Sequence, residues 1–242
     1  MRAINSARAL SKYLKTSCVI IWKNAPDCNC RYSDLFLNVG FSRVIEGSLA
    51  NLIIPLNPVF FHLWINQKKI EYTKNDPSYF ESLDPHQWIF IETYDAFYPC
   101  DDFSSFVPVP RLSERIKKIT STFGDSTIGV HIRRTDHQWS NEHSPTAKYI
   151  RYMEDEIRAD PAVRFFLATD SPEEDQAMRS RFGDRIIMNQ KTLSRGSVEG
   201  MRDALVDMYC LAATRRIYTS WFSSFSHIAG RINNSEEIVV YE

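Results

Sequence analysis

From residue 127 to residue 241 short apolar runs alternate with helical patterns without a break. The order is strand "TIGVHI", a helix from about Pro145 to Arg158, strand "VRFFLAT", helix "PEEDQAMRSRF", strand "RIIM", helix "GMRDALVDMYCLAA", strand "RIYTS", helix "SSFSHIAGRI" and strand "EIVVY". Strands separated by helices of this length cannot pair as hairpins and require crossovers, so they predict a parallel sheet covered on both faces, an α/β fold. Ligands of such sheets bind outside the carboxyl ends of the strands. Those ends are where chemistry should be sought.

Three of them carry groups suited to an anion. After "TIGVHI" come Arg133, Arg134 and Asp136; after "RFFLAT" come Asp170, Ser171 and Pro172; after "RIYTS" come Ser223 and Ser224, opening a helix. Two guanidinium forks match the oxygens of a phosphate or diphosphate, the hydroxyls add donors, and the helix start adds unpaired N–H groups with a favourable dipole. Taken singly, each residue has a plainer reading. Ser223 can cap its helix, Asp170 with Ser171 and Pro172 can be a helix start, and His131 can be an ordinary core histidine. Asp203 and Asp207, four apart in a helix whose other face carries Ala204, Leu205, Met208 and Leu211, read as a solvated face. It is their joint occurrence on one sheet edge that favours an anion site.

The first half is less regular. Helical "AINSARALSKYL" leads into strand "CVIIWK", and "PVFFHLWI", "KIEYT" and "QWIFIETY" read as further strands. Closely spaced prolines in "FVPVPRLSE" mark a domain boundary near residue 108, with a helix over 112–123 capped by Ser113. The division is thus 1–108 and 109–242. With 29 Lys and Arg against 30 Asp and Glu the chain has no global attraction for nucleic acid, and no apolar run is long enough to span a membrane. The N-terminus lacks the apolar core of a signal peptide, so a cytoplasmic protein is expected. Five cysteines make no disulfide framework, and Cys28 and Cys30 have no second Cys or His pair at ligand spacing. No metal or other cofactor is expected.

The motif "HIRRTD" resembles the His-x-Arg-Arg-x-Asp motif of the α-1,6/α-1,2/protein O-fucosyltransferase superfamily, and "FFLATDSPEE" and "DALVDMYCLAATRRIYTSWFSSFSHIA" are similar to that family's second and third motifs, in the same order. The resemblance covers residues 126–230 and implies a GT-B fold of two Rossmann-like domains, the N-terminal one on the acceptor side. It implies an inverting, metal-independent transfer of fucose from GDP-fucose to a glycan, glycolipid-type or other hydroxyl acceptor. Carried over, Arg133 and Arg134 grip the β-phosphate, His131 sits at the donor nucleoside, and Asp170 lies along the nucleotide. Asp207 accepts from the guanine edge, and Ser223 and Ser224 contact the diphosphate. Asp136 or Glu142, the carboxylates nearest in sequence to the arginines, is the candidate general base, with His137, which stands where the core fucosyltransferase branch of the family carries lysine, as another. Relatives also carry a first strand and a Gly-x-Gly-Asn turn ahead of the helix on which this sequence opens. The N-terminal sheet is therefore expected to lack a strand, which favours self-association. A catalytically weak nucleotide-binding relative, or another anion-binding α/β enzyme such as a sulfotransferase, also fits the residues.

Overall fold

The structure, a computed structural model, describes residues 1–26, 28–56, 61–134, 142–191 and 196–241. The chain divides into two compact units, Met1–Val109 and Pro110–Glu242.

In the first unit, helix α1 (Arg2–Tyr13) leads to strand β1 (Val19–Trp22), which pairs in parallel with β2 (Arg43–Glu46). A short helix α2 (Ser48–Ile53) follows, then β3 (Leu63–Ile65), α3 (Gln67–Thr73), α4 (Pro77–Glu81) and β4 (Ile89–Ile91), with β3 and β4 paired in parallel. The described residues thus hold two two-stranded sheets rather than one continuous sheet. Side chains of β1 and of β4 line the same cleft, of about 970 Å³. "KIEYT", expected as a strand, is helical in α3. Asn66 accepts from the Lys69 N–H at 3.0 Å and so caps it, while Ile70 and Thr73, three apart, turn inward and Tyr72 stays exposed. The core here is Leu10, Ile65, Ile70, Phe80 and Phe97.

The second unit opens with α5 (Pro110–Thr120), starting at Pro110 rather than beyond the expected cap at Ser113. There follow β5 (Ile128–Ile132), α6 (Thr146–Ala159), β6 (Phe165–Thr169), α7 (Pro172–Phe182), β7 (Ile186–Ile187), α8 (Val198–Ala212), β8 (Arg216–Ser220), α9 (Ser224–Asn233) and β9 (Glu236–Val240). All five strands are parallel, in the order β7-β6-β5-β8-β9. The strand pleat sorts the two faces. Ile128, Val130 and Ile132 join Phe165, Leu167 and Tyr218 in a core with Tyr149 and Met153 of α6 and Met178 and Phe182 of α7. Gly129 and His131 face the other way, toward α8 and α9. Gly129 lets α8 approach closely, since a Cβ there would lie 2.8 Å from Thr214 Oγ1 and 3.0 Å from Leu211 Cδ2. Among the described residues no helix is long and apolar enough to cross a membrane.

Candidate active site

The chain order runs outward from β5 in one direction through β6 and β7, then reverses to β8 and β9 on the other side. The crevice at the carboxyl ends of β5 and β8 is therefore the topological switch point, where α/β sheets of this kind bind ligands. Arg133 leaves β5 at this point, and Ser223 leaves β8.

A knot of buried hydroxyls fixes the two strand ends together. Ser220 Oγ accepts from the Arg133 N–H at 3.0 Å and lies 3.2 Å from the His131 carbonyl. Tyr149 Oη lies 2.7 Å from Ser220 Oγ and 3.1 Å from the same carbonyl. Burial pushes the Tyr149 phenol up, out of the range in which it ionises, so it acts as a neutral tie. Arg133 itself is half-buried.

Arg134 departs from the expectation of two forks turned to one anion. Its backbone N–H donates to Asp170 Oδ1 at 2.8 Å, while its guanidinium bonds Glu174 Oε1 at 2.7 Å and Thr146 Oγ1 at 3.2 Å. Both partners of the Arg134–Glu174 pair are largely buried. Arg134 therefore ties the β5 loop to α6 and α7, and Asp170 orients that loop through its backbone. The physical reason is that consecutive residues of extended chain point to opposite sides. Neighbours in sequence need not share a target.

Ser223 stands at the N-cap of α9 without making a side-chain cap. Its Oγ lies instead 3.4 Å from His131 Nδ1, and the imidazole packs against the Phe225 ring at 5.0 Å. Both Ser223 and His131 are buried, and Ser224 is half-exposed at the first turn of a ten-residue helix whose first N–H groups have no intrahelical acceptor. Phe222, just before it, has a φ of 58° and is 80% exposed.

Asp203 and Asp207, read from spacing as a solvated face, are both buried. Asp203 receives Arg115 at 2.5 Å, a contact that joins α5 to α8. Asp207 pairs through Oδ2 with Lys191, while its Oδ1 is buried and has no hydrogen-bond partner among the described residues. Burial pushes the Asp207 carboxyl up, against the pull of the Lys191 ammonium. A buried acceptor of this kind is costly unless a donor reaches it. The helix pattern misled because α8 is packed on both sides, against α5 as well as against β5, β6 and α9. Lys191 and Asn189 went unread, although they follow "RIIM", a fourth strand end on the same edge. Glu174 also went unread, in the first turn after Asp170. Glu142 is exposed. Asp136 and His137 lie outside the described residues.

No protein-family model and no curated protein matches the chain. Solved structures do. The fucosyltransferase NodZ from Bradyrhizobium aligns with a TM-score of 0.65 at 20% identity, covering 93% of this chain and 86% of that one. A mutant of Arabidopsis thaliana FUT1 in complex with GDP gives 0.64 at 13% identity, over 98% of this chain and 66% of that one. POFUT1 in complex with GDP gives 0.58 at 12% identity, over 98% and 93%. The chain has the GT-B-like α/β fold of these fucosyltransferases. NodZ has also been solved after soaking with GDP-fucose.

Proposed function

We propose that the chain is a glycosyltransferase that moves fucose from GDP-fucose to a hydroxyl acceptor of a glycan, with inversion and without a metal. The observation that carries this reading is the convergence of Arg133, the α9 N-terminus with Ser223 and Ser224, and His131 on the β5/β8 switch point of a fold found in fucosyltransferases that bind GDP.

In this reading the diphosphate lies against the first turn of α9, where N–H donors and the helix dipole favour negative charge. The bond between the sugar C1 and the β-phosphate oxygen breaks as the acceptor oxygen attacks the opposite face. Charge grows on the departing phosphate, and Arg133 stabilises it most strongly in the transition state. The acceptor proton passes to a carboxylate, Asp136 or Glu142, or to His137. Arg134 and Asp170 act one step back by holding the loop that presents Arg133. Asp207 reads the base edge with its buried Oδ1, and Lys191 shares the carboxylate.

The test is calorimetric titration of GDP, UDP and ADP in the presence of a chelator. Selective GDP binding, lost in Arg133→Ala, is the expected result. A folded chain that binds no GDP, or binds all three equally, would sink the donor assignment. GDP binding without fucose transfer or donor hydrolysis would make the chain a binding protein.

A further inference from the structure

The carboxyl ends of β8 and β9 carry an aromatic surface that the donor chemistry does not use. Trp221 follows Ser220 directly, and Tyr241 follows Val240, the residue paired with Ser220 across the sheet. Their rings are stacked, with centroids 4.5 Å apart and planes inclined by 24°. The His143 ring lies 5.8 Å from each of them. Phe222 extends the group, 6.4 Å from Trp221.

Two features separate this group from ordinary packing. Tyr241 is 45% and Phe222 is 80% exposed, so ring faces and edges meet solvent. Phe222 also sits at a φ of 58°, a backbone region that a bulky residue rarely occupies. The fold thus holds an aromatic side chain out at a turn where glycine would fit with less strain.

The position of the surface identifies what it can take. Ser144 Oγ accepts from the Trp221 N–H at 2.8 Å and donates to the Val240 carbonyl at 2.5 Å, so one side chain ties both ring-bearing turns to the residues just ahead of α6. Ser220 in turn binds the Arg133 N–H. The platform therefore lies one and two strands from β5, about 5 and 10 Å across the sheet. A group stacked on it would rest on the same carboxyl edge of the sheet that Arg133 leaves. Such a group must offer an apolar face to the rings and hydrogen-bonding edges to the exposed Glu142 carboxylate and the His143 ring. A pyranose does both, since one face presents C–H bonds and its rim presents hydroxyls.

We propose that Trp221, Phe222 and Tyr241 form an acceptor subsite that seats a pyranose ring of an oligosaccharide by stacking. The assignment of that ring as acceptor rests on the fucosyl-transfer reading; the platform as a saccharide site does not.

The experiment is saturation-transfer NMR of the full chain with methyl glycosides of glucose, galactose, mannose and N-acetylglucosamine and with their β-1,4-linked trisaccharides, with and without GDP. GDP titration of the same samples is the control. The expected result is transfer concentrated on the C–H face of one ring, with affinity about tenfold weaker in Tyr241→Ala and in Phe222→Gly. Both variants should keep the wild-type Tm within a few degrees, and Tyr241→Ala, which lies on another strand from Ser223 and Ser224, should bind GDP as the wild type does. Transfer that survives both substitutions would overturn the proposal. So would its absence from every saccharide in a protein that binds GDP. Self-association abolished by Tyr241→Ala, with no saccharide signal, would give the surface to a second copy instead. Saccharide binding in a chain that fails to bind GDP would keep the platform and refute the donor reading.

Discussion

Arg133 and Arg134 are adjacent and chemically identical, yet their contacts in the structure differ. Arg133 is the residue assigned to the leaving phosphate, and Arg133→Ala is expected to cut kcat by about 10²–10³ while the protein melts as the wild type does. Arg134→Ala leaves the buried Glu174 carboxylate with the Thr146 hydroxyl but without its counter-charge, and its Oε2 has no partner among the described residues. It is expected to lose about 3–5 kcal/mol of stability, read as a lower urea midpoint. A variant of Arg134 that melted normally but lost GDP binding would reverse these roles. The sequence showed both arginines and could not assign them, because the direction of a side chain on an irregular strand exit is set by what packs beside it. For Arg134 that is Glu174, forty residues away. Asp207 teaches the same lesson. Its type and place were legible, but its burial was not, because helix periodicity marks only one packed face and α8 has two.

At the scale of elements, β5 is the strand on which the site depends. Its Gly129 is where a side chain would collide with Thr214 and Leu211. Gly129→Ala is expected to destabilise by about 1–3 kcal/mol, measured by chemical denaturation. In the first unit α1 is anchored to the segment beyond β4. Ser6 Oγ donates to the Tyr98 carbonyl at 2.9 Å, Asn5 reaches the Cys100 carbonyl at 3.4 Å, and Arg8 pairs with Asp102. Hydrogen bonds from Ser104, aided by the Arg8 guanidinium, hold the Asp102 carboxyl at about 2, below its ordinary 3.8. A carboxyl depressed on folding adds stability above its unfolded pKa and loses it as pH falls through the folded one. The advantage of the wild type over Asp102→Asn is therefore expected to be full above pH 4 and to vanish as pH approaches 2, read from denaturation midpoints across that window. The strand and helix pattern of the second half was legible nearly residue for residue, since short β-branched and aromatic runs there are separated by polar stretches of helical length with clear start signals such as Ser171-Pro172. "KIEYT" was not, because five residues satisfy the period of a strand and that of a helix equally well, and the deciding Asn66 cap lies outside them.

At the scale of the molecule, the described residues of Pro110–Glu242 hold five parallel strands with helices on both faces and their own core. Expressed alone, this fragment is expected to give a dispersed NMR spectrum and a single cooperative unfolding transition. Where GDP binds, its addition at about 100 times its Kd should raise that stability by about 2.7 kcal/mol. The first unit presents the opposite case, two separate two-stranded sheets with β1 and β4 on one cleft. By itself the sequence determined the α/β class, the succession of strands and helices after residue 126, and the placement of arginines, serines and aspartates at strand ends. These are local facts, written in apolar spacing over a few residues. Only the tertiary structure decided that β8 lies beside β5, that Ser220 and Tyr149 lock the two ends, that His131 Nδ1 meets the Ser223 hydroxyl, and that Trp221 meets Tyr241. Each of those pairs joins residues 18 to 92 positions apart, or strands whose order no local period specifies. Their partners are chosen by packing across the whole sheet.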